Sequence, residues 1–160
     1  EVAESVPIVL GSGAFGGVAA RRAAAMFGRT GRVPVAAGVL PDAASQIVAC
    51  FDGPLAGGEG GGPEADDIFV DPFIDGPTSP PLRLIMLRDA TERGGAGTTG
   101  AEAAQDRALD VGNGRERDLV DTIVSVAEDA GVRGSLRDAV ARDPLRRIAW
   151  HIALTDFVAT

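Results

Sequence analysis

Residues 7–17 read PIVLGSGAFGG, and this stretch decides the fold at the start of the chain. The continuously apolar run PIVL is typical of a short strand that is buried on both faces of a sheet. Glycines follow at positions 11, 13 and 16, and the helix-forming segment VAARRAAAMF comes directly after them. A strand, a glycine turn and a helix in this order predict the opening unit of a parallel α/β domain.

The remaining sequence continues this alternation. We predict further strands at 33–37, 66–73, 82–89 and 119–127, and helices that begin near Asp42, Ala101, Ser135 and Asp143. The last of these starts is the strongest, because an N-cap aspartate is followed by proline at the first helical position. The pattern predicts one α/β domain over residues 1–160, with three αβα layers and a mainly parallel sheet of about five strands. Glycine-rich loops near 52–66 and 93–100 interrupt it.

Composition excludes several function classes. All 15 basic residues are arginine, so P-loop and Schiff-base chemistry, which need a lysine amine, are excluded. The formal net charge of −8, without a basic stripe, argues against nucleic-acid binding. The single cysteine, Cys50, excludes an internal disulfide and a cysteine-based zinc site. No run of 18 apolar residues is present, so we expect a cytoplasmic protein with no membrane partner.

The glycines at the first turn allow two interpretations. Gly11, Gly13 and Gly16 match the dinucleotide-binding spacing G-x-G-x-x-G, in which a helix N-terminus receives a pyrophosphate. That motif is normally completed by an acidic residue at the end of the second strand, and here the strand ends VPVAAG. The loop is therefore either the cofactor site of a nucleotide-binding module or a tight structural turn.

An acidic strand end, IFVDPFIDG, offers a second candidate site. Asp71 and Asp75 follow an apolar run, and ligands of open α/β sheets bind at the carboxyl ends of strands. The same residues are common turn formers beside proline and glycine. His151, the only histidine, lies off the apolar stripe of the closing helix, so we expect a solvated or capping role for it rather than metal ligation.

Four ordered segments resemble the hydrogenase maturation peptidases, which trim the C-terminal tail of the nickel-iron hydrogenase large subunit. The segments are PIVLGSG with GGVAARRAAAMF, VPVAAGVLPDAASQIVACF, ADDIFVDPFIDGPTSPPLRLIMLRD, and TIVSVAEDAGVRGSLRDAVARDPLRRIAWHIAL. A likeness to nucleoside hydrolases, through GRVPVAAGVLPD, ranks lower because the calcium-binding aspartate cluster of that family is missing.

The peptidase resemblance implies a metal-dependent endopeptidase with the hydrogenase large subunit as its partner. It places a nickel ligand at Asp71, with Glu102 or Asp75 as neighbours. The family's other two ligands have no counterpart here, because GSGAFGG holds no carboxylate and TERGGAGTTGAE holds no histidine. The resemblance therefore implies either a peptidase or an inactive relative that keeps the fold. A non-catalytic interaction protein is the further alternative.

Overall fold

A computed structural model of the chain describes residues 4–56, 80–89, 101–139 and 143–159. Within helices, the side chains of residues 101–113 and of Pro144 are not described. In these ranges the chain forms four strands, four α-helices and one π-helical turn, Phe27–Gly31. The elements in chain order are β1 Val6–Ser12, α1 Gly13–Met26, β2 Ala36–Val39, α2 Ala44–Cys50, β3 Leu82–Arg88, α3 Ala101–Asp129, β4 Arg133–Asp138 and α4 Pro144–Val158.

The strands form one parallel sheet in the order β2-β1-β3-β4. Strand β1 pairs with β3 along its whole length, from Val6 opposite Leu82 to Ser12 opposite Arg88. The carboxyl ends of these two central strands therefore lie side by side. This confirms the predicted α/β class with a parallel sheet between helical layers, with four strands in the described ranges instead of about five.

Alternating residues of the central strands separate the core into two halves. Ile8, Leu10, Leu84 and Met86 are fully buried on the face that α2 and α3 cover. Val9 and Leu87 point to the opposite face, where they pack against the alanines of α1. Helix α4 lies beside α1 on this second face. The continuously apolar strands thus fit a sheet that is covered on both sides.

The segment 119–127 is helical, so its prediction as the fifth strand is wrong. It belongs to α3, and the buried residues Val120, Ile123 and Ala127 recur at the three- and four-residue spacing of a helix. The β-branched residues LVDTIVSVA favour a strand locally, but packing against the sheet overrides this weak preference.

Two predicted helix starts are also corrected. Ser135 and Asp138 lie in strand β4, an edge strand that pairs only with β3 in the described sheet. Asp42 is not the N-cap of α2, because the capping position falls on Ala43. The third start is confirmed: Asp143 caps α4, and its carboxylate accepts a hydrogen bond from the backbone N–H of Leu145 at 2.8 Å.

The strand predicted at 66–73 lies outside the described residues, as do most of the predicted glycine-rich loops. Among the helices that are described, none is long and apolar enough to cross a membrane.

Candidate functional site

The strand order creates a crevice between the ends of β1 and β3. The chain leaves β1 through α1 toward β2 on one side, and it leaves β3 through α3 toward β4 on the other. Ligands of open α/β sheets bind where the winding direction reverses in this way, outside the carboxyl ends of the strands. The candidate site therefore lies around Ser12 and Arg88, the last residues of the two central strands.

The glycines of the first turn are required by close packing. A Cβ at Gly11 would collide with the backbone carbonyl of Gly16, and one at Gly16 would lie 2.5 Å from the carbonyl oxygen of Leu87. Gly13 has φ +72, a left-handed conformation that glycine adopts without strain. These contacts bring α1 directly onto the sheet and account for the three glycines without a ligand.

The start of α1 is occupied by a carboxylate from a distant helix. The backbone N–H of Gly13 donates a hydrogen bond to Oε1 of Glu116, at 2.5 Å, across 103 positions of sequence. The Ser12 side chain caps none of the first amides of α1, and the first turn of α1 holds no acidic residue. Glu116 therefore supplies the negative charge that the positive end of a helix favours.

A small cleft opens between these groups. It is lined by Ser12 and by four charged residues, Arg88, Asp89, Glu116 and Arg117. Opposite charges thus alternate around a cleft that lies against the start of α1. Such a lining offers both hydrogen-bond donors and acceptors to a polar ligand.

Arg88 is held rigidly at the end of β3. Its guanidinium donates two hydrogen bonds to the carboxylate of Asp138, at 2.7 and 2.8 Å, and Asp121 lies 3.6 Å away. The bond to Asp138 raises the pKa of Arg88 further above its ordinary value. Because β3 and β4 end at the same level, this two-point contact fixes the Arg88 side chain.

Behind the crevice, α4 turns a polar stripe toward the sheet. Arg147, His151 and Thr155 recur every four residues, and all three are buried. Nε of Arg147 lies 3.2 Å from Oδ1 of Asp89, and the side chains are only 10% and 9% exposed. No hydrogen bond links these two atoms, so the contact is an ion pair of imperfect geometry.

His151 is completely buried and ties α4 to the end of β3. Its Nε2 lies 3.2 Å from the carbonyl oxygen of Arg88, and since a carbonyl only accepts, Nε2 carries the proton. The other ring nitrogen, Nδ1, is buried without a hydrogen-bond partner. Burial lowers the pKa of His151 below its ordinary value of 6.5, against the opposing effect of Asp89 and Asp138. The imidazole is therefore neutral at pH 7.

The turn after β2 adds an exposed carboxylate to the same edge of the sheet. The N–H of Leu40 donates to the carbonyl of Gly11 at 2.9 Å, which brings this turn against the glycine turn. Asp42 follows two residues later and is exposed. Within the described ranges, its carboxylate forms no hydrogen bond or ion pair.

The structure brings together some of the predicted site residues. Gly11, Gly13 and Gly16 border the cleft, whereas Asp71 and Asp75 lie outside the described residues. The backbone of Glu102 lies in α3, and its side chain is not described. His151 is buried, so the expected solvated or capping role is wrong. The ligand contacts predicted for the three glycines and for Asp71 stay predictions.

Sequence reasoning missed Glu116, Arg147 and the Arg88–Asp138 pair. The only signal for Arg147 and His151 is their four-residue spacing in the closing helix. Glu116 carries no such signal, because it lies in a polar stretch and its partner is a backbone amide far away in the sequence. Among the residues described, no group of three or more His, Cys, Asp or Glu side chains is arranged to hold a metal ion.

The sequence profile of a known family, the bacterial phospho-glucose isomerase C-terminal SIS domain, matches residues 1–160. No curated protein and no solved structure matches the chain significantly. The family match contradicts the resemblance to hydrogenase maturation peptidases, and the expectations of proteolysis, hydrogenase maturation and nickel rested on that resemblance. The hydrogenase large subunit was expected as a partner on the same ground. The alternative of a nucleotide-binding module is also wrong, because the matched family is a sugar isomerase domain.

The match extends over the whole sequence, and its class agrees with a parallel sheet whose crevice is lined by polar groups. This chain belongs to the family of bacterial phosphoglucose isomerase C-terminal SIS domains.

Proposed function

We propose that the domain binds a phosphorylated hexose at the crevice between β1 and β3 and takes part in its aldose–ketose isomerisation. The observation that carries the proposal is the position of the charged cleft at the reversal point of a parallel sheet. The family match supports a sugar phosphate as the class of ligand. A sugar presents many hydroxyl groups, each of which donates and accepts, and the alternating charges of the cleft suit that pattern.

Isomerisation moves a proton between neighbouring carbons of the sugar, so it needs a base within reach of the substrate. The carboxylates of Asp89, Glu116 and Asp138 are already held by arginines or by the start of α1. Asp42 is exposed on the same edge of the sheet, and no hydrogen bond or ion pair holds it in the described part of the chain. We therefore assign Asp42 as the base.

Binding is tested by the stability of the protein in the presence of glucose 6-phosphate. At a concentration 100 times the dissociation constant, a ligand that binds only the folded state raises the free energy of unfolding by about 2.7 kcal/mol. Galactitol at the same concentration and sodium chloride at the same ionic strength serve as controls. A free energy of unfolding that glucose 6-phosphate leaves unchanged would contradict the proposal.

The role of Asp42 is tested by Asp42→Asn in a coupled assay for fructose 6-phosphate. We expect the variant to bind glucose 6-phosphate as the wild type does, while its rate falls by at least about 100-fold, as for the loss of a general base. Asp52→Asn is the matched control, because Asp52 is an exposed acid that follows the other end of α2. An Asp42→Asn protein with full activity would refute the assignment.

A further inference from the structure

The first turn of α1 has the form of a phosphate site, yet a side chain of the protein already occupies it. Free backbone N–H groups and the positive end of a helix attract anions, and glycines let an anion approach closely. Here the Gly13 N–H is bonded to Glu116, whose carboxylate is an anion fixed within the fold.

We infer that Glu116 determines specificity at this turn: it excludes phosphate from the start of α1 and leaves the cleft to the hydroxyl groups of the ligand. This inference deepens the proposed function, because it specifies which end of a sugar phosphate lies beside Gly13. A phosphate placed there would have to displace the Glu116 carboxylate or lie next to it.

A second, independent observation comes from Asp89 on the other side of the turn. Its side chain is only 9% exposed, it lines the same cleft, and its Oδ1 has no hydrogen-bond partner. The Cβ that a side chain at Gly13 would carry lies 2.9 Å from Cβ of Asp89, so the carboxyl group is close to the turn. A phosphate at this position would therefore meet two carboxylates, whereas a hydroxyl group can donate a hydrogen bond to either one.

The arginines of the cleft do not reverse this preference. Arg88 is already neutralised by its two hydrogen bonds to Asp138, and Asp121 lies near it as well. Arg147 is paired with Asp89. The Glu116 charge therefore acts on a ligand at the turn without a matching free cation from either arginine.

The test is a titration of the ¹⁵N-labelled protein with inorganic phosphate at constant ionic strength, followed at the backbone amide of Gly13. In the wild type we expect no saturable shift of this amide with phosphate and a clear shift with glucose 6-phosphate. In Glu116→Gln, which keeps the size of the side chain and removes its charge, phosphate should shift the Gly13 amide with an affinity at least about tenfold higher. Glu116→Ala, which also opens the space, should show the same gain.

Asp118→Asn is the matched control, because Asp118 is an exposed acid on the same helix. It should titrate like the wild type. The inference is overturned if phosphate shifts the Gly13 amide equally in the wild type and the variants, or if neither Glu116 variant gains phosphate binding. The wild-type titration alone can overturn it if a variant fails to fold.

The experiment also separates this inference from the proposed function. If glucose 6-phosphate shifts no amide in any of the proteins while phosphate binds only to the Glu116 variants, the proposed function fails and the role of Glu116 stands. If glucose 6-phosphate binds but phosphate reaches Gly13 in the wild type, the proposed function stands and the role of Glu116 fails.

Discussion

Acidification should destabilise this protein through its single histidine. His151 is fully buried, its Nε2 proton is donated to the carbonyl of Arg88, and its Nδ1 has no partner that could receive a second proton. Burial therefore lowers the pKa of His151 in the folded state below the value of 6.5 that we take for the unfolded chain. Between these two pKa values the unfolded state binds more protons than the folded state, so stability falls as the pH falls.

The size of the effect follows from proton linkage. Above pH 6.5 the imidazole is neutral in both states and contributes no pH dependence. One unit lower, at pH 5.5, protonation of the unfolded chain lowers the free energy of unfolding by at most about 1.4 kcal/mol. The limit is reached if the folded-state pKa lies well below 5.5. The lowered pKa of Asp156, which its hydrogen bond to Arg22 causes, acts at a more acidic pH and leaves this window free.

Urea unfolding, followed by the helical circular dichroism signal, measures this slope between pH 7.0 and 5.5. The matched variant is His151→Gln, whose side chain can donate to the same carbonyl but does not titrate in this range. We expect the variant to lose most of the pH dependence, whatever its absolute stability. If the wild type and His151→Gln show the same slope, the buried neutral state of His151 is refuted.

Two further predictions concern the packing of the site. Gly16→Ala should destabilise the protein by about 1–3 kcal/mol, because its Cβ would lie 2.5 Å from the carbonyl oxygen of Leu87. Gly114→Ala, within α3 and with no atom within 4 Å of its Cβ, should instead stabilise it by up to about 1 kcal/mol, and thermal unfolding of both variants would expose an error if Gly16→Ala were neutral. Arg147→Met should lower the free energy of unfolding by about 3 kcal/mol, because it leaves the Asp89 carboxylate buried without its partner. Adding Asp89→Asn should restore part of this loss, and a double variant less stable than Arg147→Met in urea would contradict the pairing.

The fold was largely predictable because its central strands carry a strong local signal. PIVL and LRLIMLR are apolar without interruption, as parallel strands covered on both faces must be. Strand β4 has no such signal, since RGSLRD is an edge strand whose residues are mostly exposed or half-buried. Its identity as a strand follows from pairing with β3, a long-range contact that local pattern does not encode.

The site was less predictable because its polar groups are paired over long distances in sequence. The closing helix was expected to bury an apolar stripe that includes Leu145, yet Leu145 is 76% exposed. The buried stripe is polar instead, and burial of Arg147 and His151 is favourable only where Asp89 and the Arg88 carbonyl meet them. A periodicity argument that assigns polar residues to solvent therefore places this helix face in the wrong direction.

The polar stripe of α4 has a consequence for the cleft that it supports. The end of β3 is fixed from two sides: Asp138 holds the guanidinium of Arg88, and His151 holds its carbonyl. The next residue, Asp89, is fixed in turn by Arg147. Because Arg88 and Asp89 both line the cleft, a change on α4 that never touches the ligand should alter ligand binding through their positions. His151→Gln should therefore weaken glucose 6-phosphate binding less than a variant that also loses the bond to the Arg88 carbonyl, such as His151→Leu. Calorimetric titration of both variants tests this order, and equal affinities would show that the bond does not position the cleft.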